Sequence, residues 1–353
     1  MVEYDTLPCV SQEIDDLETV EMFESQISAG DVKECEQSED TMEEIDESTT
    51  PAERLTIIAR KALPCIASFF IGLLGPLINF AFAGHIPNTN SAEVLAGIAL
   101  ANMFANMSGI SLMLGMTGGV ETLGAQYNGG KQYEKVGYVL QRSIIALSAM
   151  SLPVLLLWLC SKNIFLLLGV PERVCTIIGN YLFIRTFEIP ANILQFSYEK
   201  YLFSVGVMHC SLIASVAYAA SIVTINWTLI YGPLRSLNLS YCSLGYAICL
   251  SQYVAIAIQV ATSLSCESVQ RTLQKINFSA AMDGMFQFIS LGVPGTLMLI
   301  SEWWAFEMLL VMSSRLGTEA VAAQTIMSQT VALAFMVPLG KSHPTRRITL
   351  FQA

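Results

Sequence analysis

The chain has 353 residues, 53% of them hydrophobic and 13% charged, against about 25% charged residues in an ordinary soluble domain. So much apolar side chain needs lipid as its solvent, which excludes a protein built around a substantial soluble domain. The formal net charge of -11 is local rather than global: 17 of the 29 acidic residues lie between Glu3 and Glu47, and from Pro64 to Gly340 acidic and basic residues balance at 11 each.

In chain order, the first element is a polar tail. Residues 1–55 are rich in Glu, Asp, Ser and Thr, with no sustained apolar period. Such a segment cannot bury enough surface to offset the entropy of ordering, so a disordered, acidic cytosolic tail is expected there. Its acidity excludes an Arg-rich presequence, and the lack of an apolar core after a basic start excludes a cleavable signal peptide.

Eight apolar runs follow, at about 64–84, 95–118, 138–160, 174–198, 204–229, 240–264, 286–311 and 319–340. Each is long enough to cross a hydrocarbon layer of about 30 Å as a helix, and each is too long and too continuously apolar for a barrel strand. The expected fold class is therefore an all-α polytopic membrane protein with about eight transmembrane helices. Gly84 to Glu93, Tyr127 to Lys135 and Tyr231 to Ser240 carry the Gly, Pro, Asn and charged residues of turns in water.

Basic residues set the orientation, because they are favoured on the cytosolic side. With the N-terminus inside, Arg54, Arg60, Lys61, Lys131, Lys135, Arg142, Lys200, Arg271, Lys275, Lys341, Arg346 and Arg347 are cytosolic. Only Lys162, Arg173, Arg235 and Arg315 are then outside. A multi-pass protein with a cytosolic N-terminus is expected, with Asn238-Leu239-Ser240 as an outer-loop glycosylation sequon.

Glycines in the second run, Gly97, Gly109, Gly115, Gly118 and Gly119, allow close helix approach. Pro190 and Pro294 each remove a backbone donor inside an apolar run, as at a kink. Nine cysteines show no C-x-x-C pair and read as small buried hydrophobes. His85, His209 and His343 lie too far apart for a metal motif, so neither metal nor cofactor is expected. There is no phosphate-binding Gly-x-x-x-x-Gly-Lys sequence of an ATP-driven pump and no nucleophile constellation, so an enzyme is not expected either.

Ionisable groups at membrane depth carry the functional signal, because their insertion must be offset by pairing, protonation, water or a cavity. Glu302 and Glu307 lie in the seventh run, in Ser301-Glu302-Trp303-Trp304-Ala305-Phe306-Glu307. Five helical positions separate them by about 140° beyond one turn, so they border a cavity from different angles rather than sharing a stripe. Either carboxylate suits a proton or cation site, Glu302 foremost. Trp303, Trp304 and Phe306 are candidates to line a substrate site by cation–π contact, and equally suit an interfacial belt. Arg185 and Glu188, three residues apart in the fourth run, can pair on one helix face in a structural or gating role. Glu121, at the end of the second run, suits a helix cap, an interhelix bond or a gating position.

The order and content of several segments resemble the eukaryotic branch of the multidrug and toxic-compound extrusion (MATE) transporters. The likeness starts at Phe82-Ala83-Gly84-His85-Ile86. It sharpens in Glu121-Thr122-Leu123-Gly124-Ala125-Gln126 and Gly137-Tyr138-Val139-Leu140-Gln141-Arg142-Ser143, and is strong around Glu302 to Glu307. Leu316-Gly317, Ala323-Gln324 and Phe335-Met336-Val337-Pro338-Leu339-Gly340 follow in the same order, so that it spans about 55–340. The resemblance implies a secondary antiporter exporting organic cations or other amphipathic xenobiotics, driven by protons or, in some members, sodium. It also implies cation-binding roles for Glu302 and Glu307, with Gln324 at a polar position of the eighth span.

The family fold has twelve helices in two six-helix lobes. By resemblance, residues 56–264 correspond to the first lobe and 265–340 to two helices of the second, while 341–353 depart from the family pattern, as in a truncated product. A nontransporting membrane scaffold or dominant-negative fragment is the competing expectation. The expected partners are small organic cations or amphipathic compounds and the lipid bilayer. No nucleic acid is expected, and no protein partner is indicated. The membrane is expected to be the plasma membrane or a vacuolar or other endomembrane.

Overall fold

The computed structural model describes residues 51–86, 91–234 and 240–314, with Gln324, Met327, Thr330, Val331, Ala334 and Phe335 beyond them. The acidic tail up to residue 50, the Asn238 sequon, most of the eighth expected span and the segment from 336 lie outside the described residues.

Helix α1 runs Pro51–Ala83, so residues expected as the end of the tail are already helical. The second span is one path of several pieces: α2 (Ser91–Ala105), a π-helical turn (Asn106–Ile110), α3 (Ser111–Met116) and α4 (Gly118–Gly129). The third is α5 (Tyr133–Leu159), followed by the short α6 (Ser161–Leu167). The fourth divides into α7 (Glu172–Arg185), a 3-10 turn (Thr186–Glu188) and α8 (Ile189–Val205). The fifth and sixth are α9 (His209–Ile230) and α10 (Cys242–Ser263). Two short helices, α11 (Glu267–Thr272) and α12 (Phe278–Met282), lead to α13 (Met285–Ser314), the seventh.

Six helical stretches among the described residues are long and apolar enough to cross a membrane. The fourth expected span, which carries Arg185 and Glu188, runs into Glu199 and Lys200 and is divided by the 3-10 turn at Thr186–Glu188, falls outside that set. Pro190, expected within a helix interior, instead sits in the first turn of α8, where its missing N–H costs no intrahelical bond. The chain leaves α8 through Gly206, whose φ of 96° is left-handed and open to glycine at little cost. Its N–H returns to the Leu202 carbonyl at 2.8 Å and reverses the chain into α9.

The packing inverts that of a water-soluble bundle. On α1, Phe70, Leu74 and Leu77 face outward at helical spacing, while Ser68 and Asn79 are buried. On α5, Leu152, Leu156 and Leu159 are likewise outward. Apolar side chains on the outer faces suit lipid, and the chain is an integral membrane protein. Inside, small hydroxyl and amide groups satisfy one another between helices. Ser68 donates to the Ser211 carbonyl at 3.0 Å, and Ser143 and Ser197 share a 2.7 Å bond. Asn226, wholly buried in α9, donates to Asn79 Oδ1 at 2.9 Å. Helix α9 packs between α1 and α10, α10 rests on α7, and α7 on α2. Helix α4 packs against α5 and α8, and α13 lies along α3 and α4.

Candidate functional site

The described sequence-predicted residues fall into three groups on different elements. The first is the seventh span. Glu302, Trp303 and Glu307 are half-buried on α13, and Trp304 and Phe306 are exposed. Close backbone approach positions this helix. A Cβ on Gly115 would come within 2.4 Å of Thr296 Cα, and one on Gly292 within 3.1 Å of the Met116 carbonyl oxygen. The indole N–H of Trp304 donates to the Met107 carbonyl at 3.2 Å. Met107 lies in the π-helical turn, where i→i+5 pairing displaces the regular ladder. Trp304 thus docks α13 onto the second span. Gln324 is helical and half-buried.

The second group is one buried polar network around Arg185. Its guanidinium grips Glu188 with two bonds, Nε to Oε2 at 2.7 Å and Nη2 to Oε1 at 3.2 Å. Nη1 donates to Asn102 Oδ1 at 3.0 Å, and the Tyr181 hydroxyl donates to the same oxygen at 3.1 Å. Asn192 Nδ2 donates to Glu188 Oε1 at 3.1 Å. The Trp158 ring lies 5.7 Å from the guanidinium carbon, and its indole N–H donates to Ser108 Oγ at 3.0 Å. The network joins α2, the π-helical turn, α5, α7 and α8. The 3-10 turn sets Glu188 under Arg185, so the break in the span and the ion pair are one feature. Sequence spacing singled out Arg185 and Glu188. It gave no sign of Asn102, Asn192 or Trp158, which reach the pair only through tertiary packing.

The third group lies on α4 and α8. Glu121 is buried and receives Lys200 Nζ at 3.3 Å, bridging the two helices. One turn along, a Cβ on Gly124 would lie 2.5 Å from Ser204 Oγ, so a glycine is needed where the helices touch. Glu121 and Gly124 of the quoted motif therefore serve one interface, the charge pairing and the glycine permitting close contact.

The MatE family model matches residues 64–228. The chain is 30% identical over 266 residues to Protein DETOXIFICATION 1 of Arabidopsis thaliana, covering 73% of this chain and 52% of that protein. It is 29% identical over 278 residues to Multidrug and toxin extrusion protein 1 of Homo sapiens, covering 78% and 47%. The chain belongs to the MATE family. The solved structure of the eukaryotic MATE transporter AtDTX14 superposes with a TM-score of 0.71 at 22% identity, covering 80% of this chain and 62% of its own. An outward-facing MATE transporter of the MOP superfamily gives 0.71 at 19% identity, covering 83% and 63%. The fold is thus the MATE fold, and the chain spans about half the length of the curated relatives it matches.

Proposed function

We propose that this chain acts as a secondary active antiporter, exporting organic cations or other xenobiotic small molecules in exchange for protons. The observation that carries the reading is a pair of half-buried carboxylates, Glu302 and Glu307, within a membrane-spanning helix of a MATE chain. A carboxylate at that depth is favoured when a proton or a bound cation offsets its charge, and competition between the two is exchange. Trp303 and Phe306 flank Glu302 on the same helix and suit the aromatic contacts of an organic cation. Gln324 supplies a polar group on the next span. Glu121 with Lys200, and Arg185 with Glu188, would hold the helices that move around the site. The N-terminus would be cytosolic, in the plasma membrane or an endomembrane.

The test is efflux of a fluorescent organic cation from sealed vesicles containing the 353-residue chain, under an imposed proton gradient and, separately, a sodium gradient. The expected result is efflux that follows the proton gradient and is abolished by Glu302→Gln. Efflux that follows only sodium overturns proton coupling. Absence of efflux from correctly inserted protein overturns autonomous transport of that compound.

A further inference from the structure

We propose that His209, Cys210 and Cys266 form a zinc site tying the start of α9 to the segment that follows α10. Among the described residues, their imidazole and thiol ligand atoms all lie within 4.8 Å of one another, with Cys266 Sγ 4.0 Å from His209 Nε2. The sequence hides this cluster, since 57 residues separate His209 from Cys266. Two chain reversals assemble it. The left-handed Gly206 turns the chain so that His209 and Cys210 open α9. After α10, the Cys266 N–H bonds the Ser263 carbonyl at 3.0 Å, and its backbone extends before α11. Cys210 and Cys266 are buried, and His209 is half-buried.

The donor set selects the ion. Two thiolates and one imidazole are soft to borderline ligands, suited to zinc or cuprous ion and unsuited to magnesium or calcium. Binding balances as one Zn2+ taken up and two thiol protons released, with neutral His209 giving the lone pair of a ring nitrogen. The product carries no net charge, whereas the same donors on Cu+ leave one buried negative charge, which this apolar setting disfavours. Tetrahedral bonds of ordinary length put sulfur and nitrogen ligands about 3.6 Å apart. The 4.0 Å separation of Cys266 Sγ from His209 Nε2 therefore needs to close by a few tenths of an ångström, and the others, within 4.8 Å, by up to about 1 Å. Three protein ligands leave a fourth position for water.

The site would act on the connection it spans. Beyond Cys266 the chain is already held to α5: Gln141 Nε2 donates to the Lys275 carbonyl at 3.0 Å, and Arg142 Nε donates to the Ala281 carbonyl at 3.0 Å. A zinc ion would add a tie from α9 to the same connection, just ahead of α13.

The experiment titrates purified, histidine-tag-free, metal-stripped protein in detergent with Zn2+ against a chromophoric chelator. One equivalent is expected to bind, and Cys210→Ser or Cys266→Ser is expected to weaken it by at least about 100-fold, since losing only an outer-shell partner costs about 10- to 100-fold. Cys160→Ser, at an exposed cysteine, is expected to leave binding unchanged. Zinc-edge X-ray absorption on the unmutated protein is expected to report two sulfur ligands, a readout that does not depend on a variant folding. No stoichiometric uptake, a shell without sulfur, wild-type affinity in the folded Cys210→Ser and Cys266→Ser variants, or uptake of Cu+ with none of Zn2+ would each overturn the assignment.

Discussion

Arg185 shows what a charge needs in order to sit inside a membrane bundle. Each of its three guanidinium nitrogens has a partner, and the Glu188 carboxylate is also held by Asn192. A network satisfied in this way is rigid, and its cost appears only when it is broken. Glu188→Gln leaves the guanidinium buried without its counter-charge, and breaking such a pair is expected to cost about 3–5 kcal/mol. Arg185→Met with Glu188→Gln removes both charges and is expected to cost less than Glu188→Gln alone. Thermal unfolding of the three proteins in one detergent checks the order; equal melting temperatures for Glu188→Gln and the unmutated protein would show that the pair is not structural. At this scale the sequence was partly legible. Two opposite charges at i,i+3 announce each other, because helix geometry places them together. Glu121 announced itself but not Lys200, and His209 gave no hint of Cys266, because those distances depend on how whole helices dock.

The second and seventh spans meet through missing side chains. Gly115 and Gly292 allow α3 and α13 to approach at backbone distance, and Trp304 fastens the pair by using a carbonyl of the π-helical turn. A run of glycines in the second span was visible in the sequence, but their tasks differ and only packing tells them apart. A Cβ on Gly115 would strike the backbone of Thr296, whereas one on Gly118 would meet nothing within 4 Å. Gly115→Ala must therefore push α13 away and is expected to destabilise by about 1–3 kcal/mol. Gly118→Ala gains helix propensity without a clash and is expected to be neutral or stabilising by up to about 1 kcal/mol. Denaturation of the two variants side by side checks this, and a loss for Gly118→Ala equal to that for Gly115→Ala would mean that the small residues are not a docking surface. The π-helical and 3-10 turns were not legible, since both lie inside apolar runs that read as continuous helix. The π-helical turn offers the Met107 carbonyl to Trp304 of α13, and the 3-10 turn carries Glu188 between its partners Arg185 of α7 and Asn192 of α8.

For the molecule as a whole, the apolar runs were the most legible feature, because a bilayer imposes length and composition that water does not. Their alternation also fixes which connections share a face. The start of α1, the turn between α4 and α5, the reversal at Gly206 and the segment after α10 lie at one end, where Lys131, Lys135, Lys200, Arg271 and Lys275 collect. The end of α5 lies at the other, with Cys160 exposed there. If the basic face is cytosolic, as the preference for internal Lys and Arg requires, Cys160 faces the exterior. A membrane-impermeant maleimide applied to intact cells carrying the chain at their surface is then expected to modify Cys160, located by mass spectrometry of the plasma-membrane fraction. Labelling of Cys160 only after permeabilisation would place the basic face outside. It would overturn the cytosolic N-terminus and put the Glu121–Lys200 pair at the outer end of the bundle, while the direction of any carboxylate-linked exchange at Glu302 would still follow the imposed ion gradient.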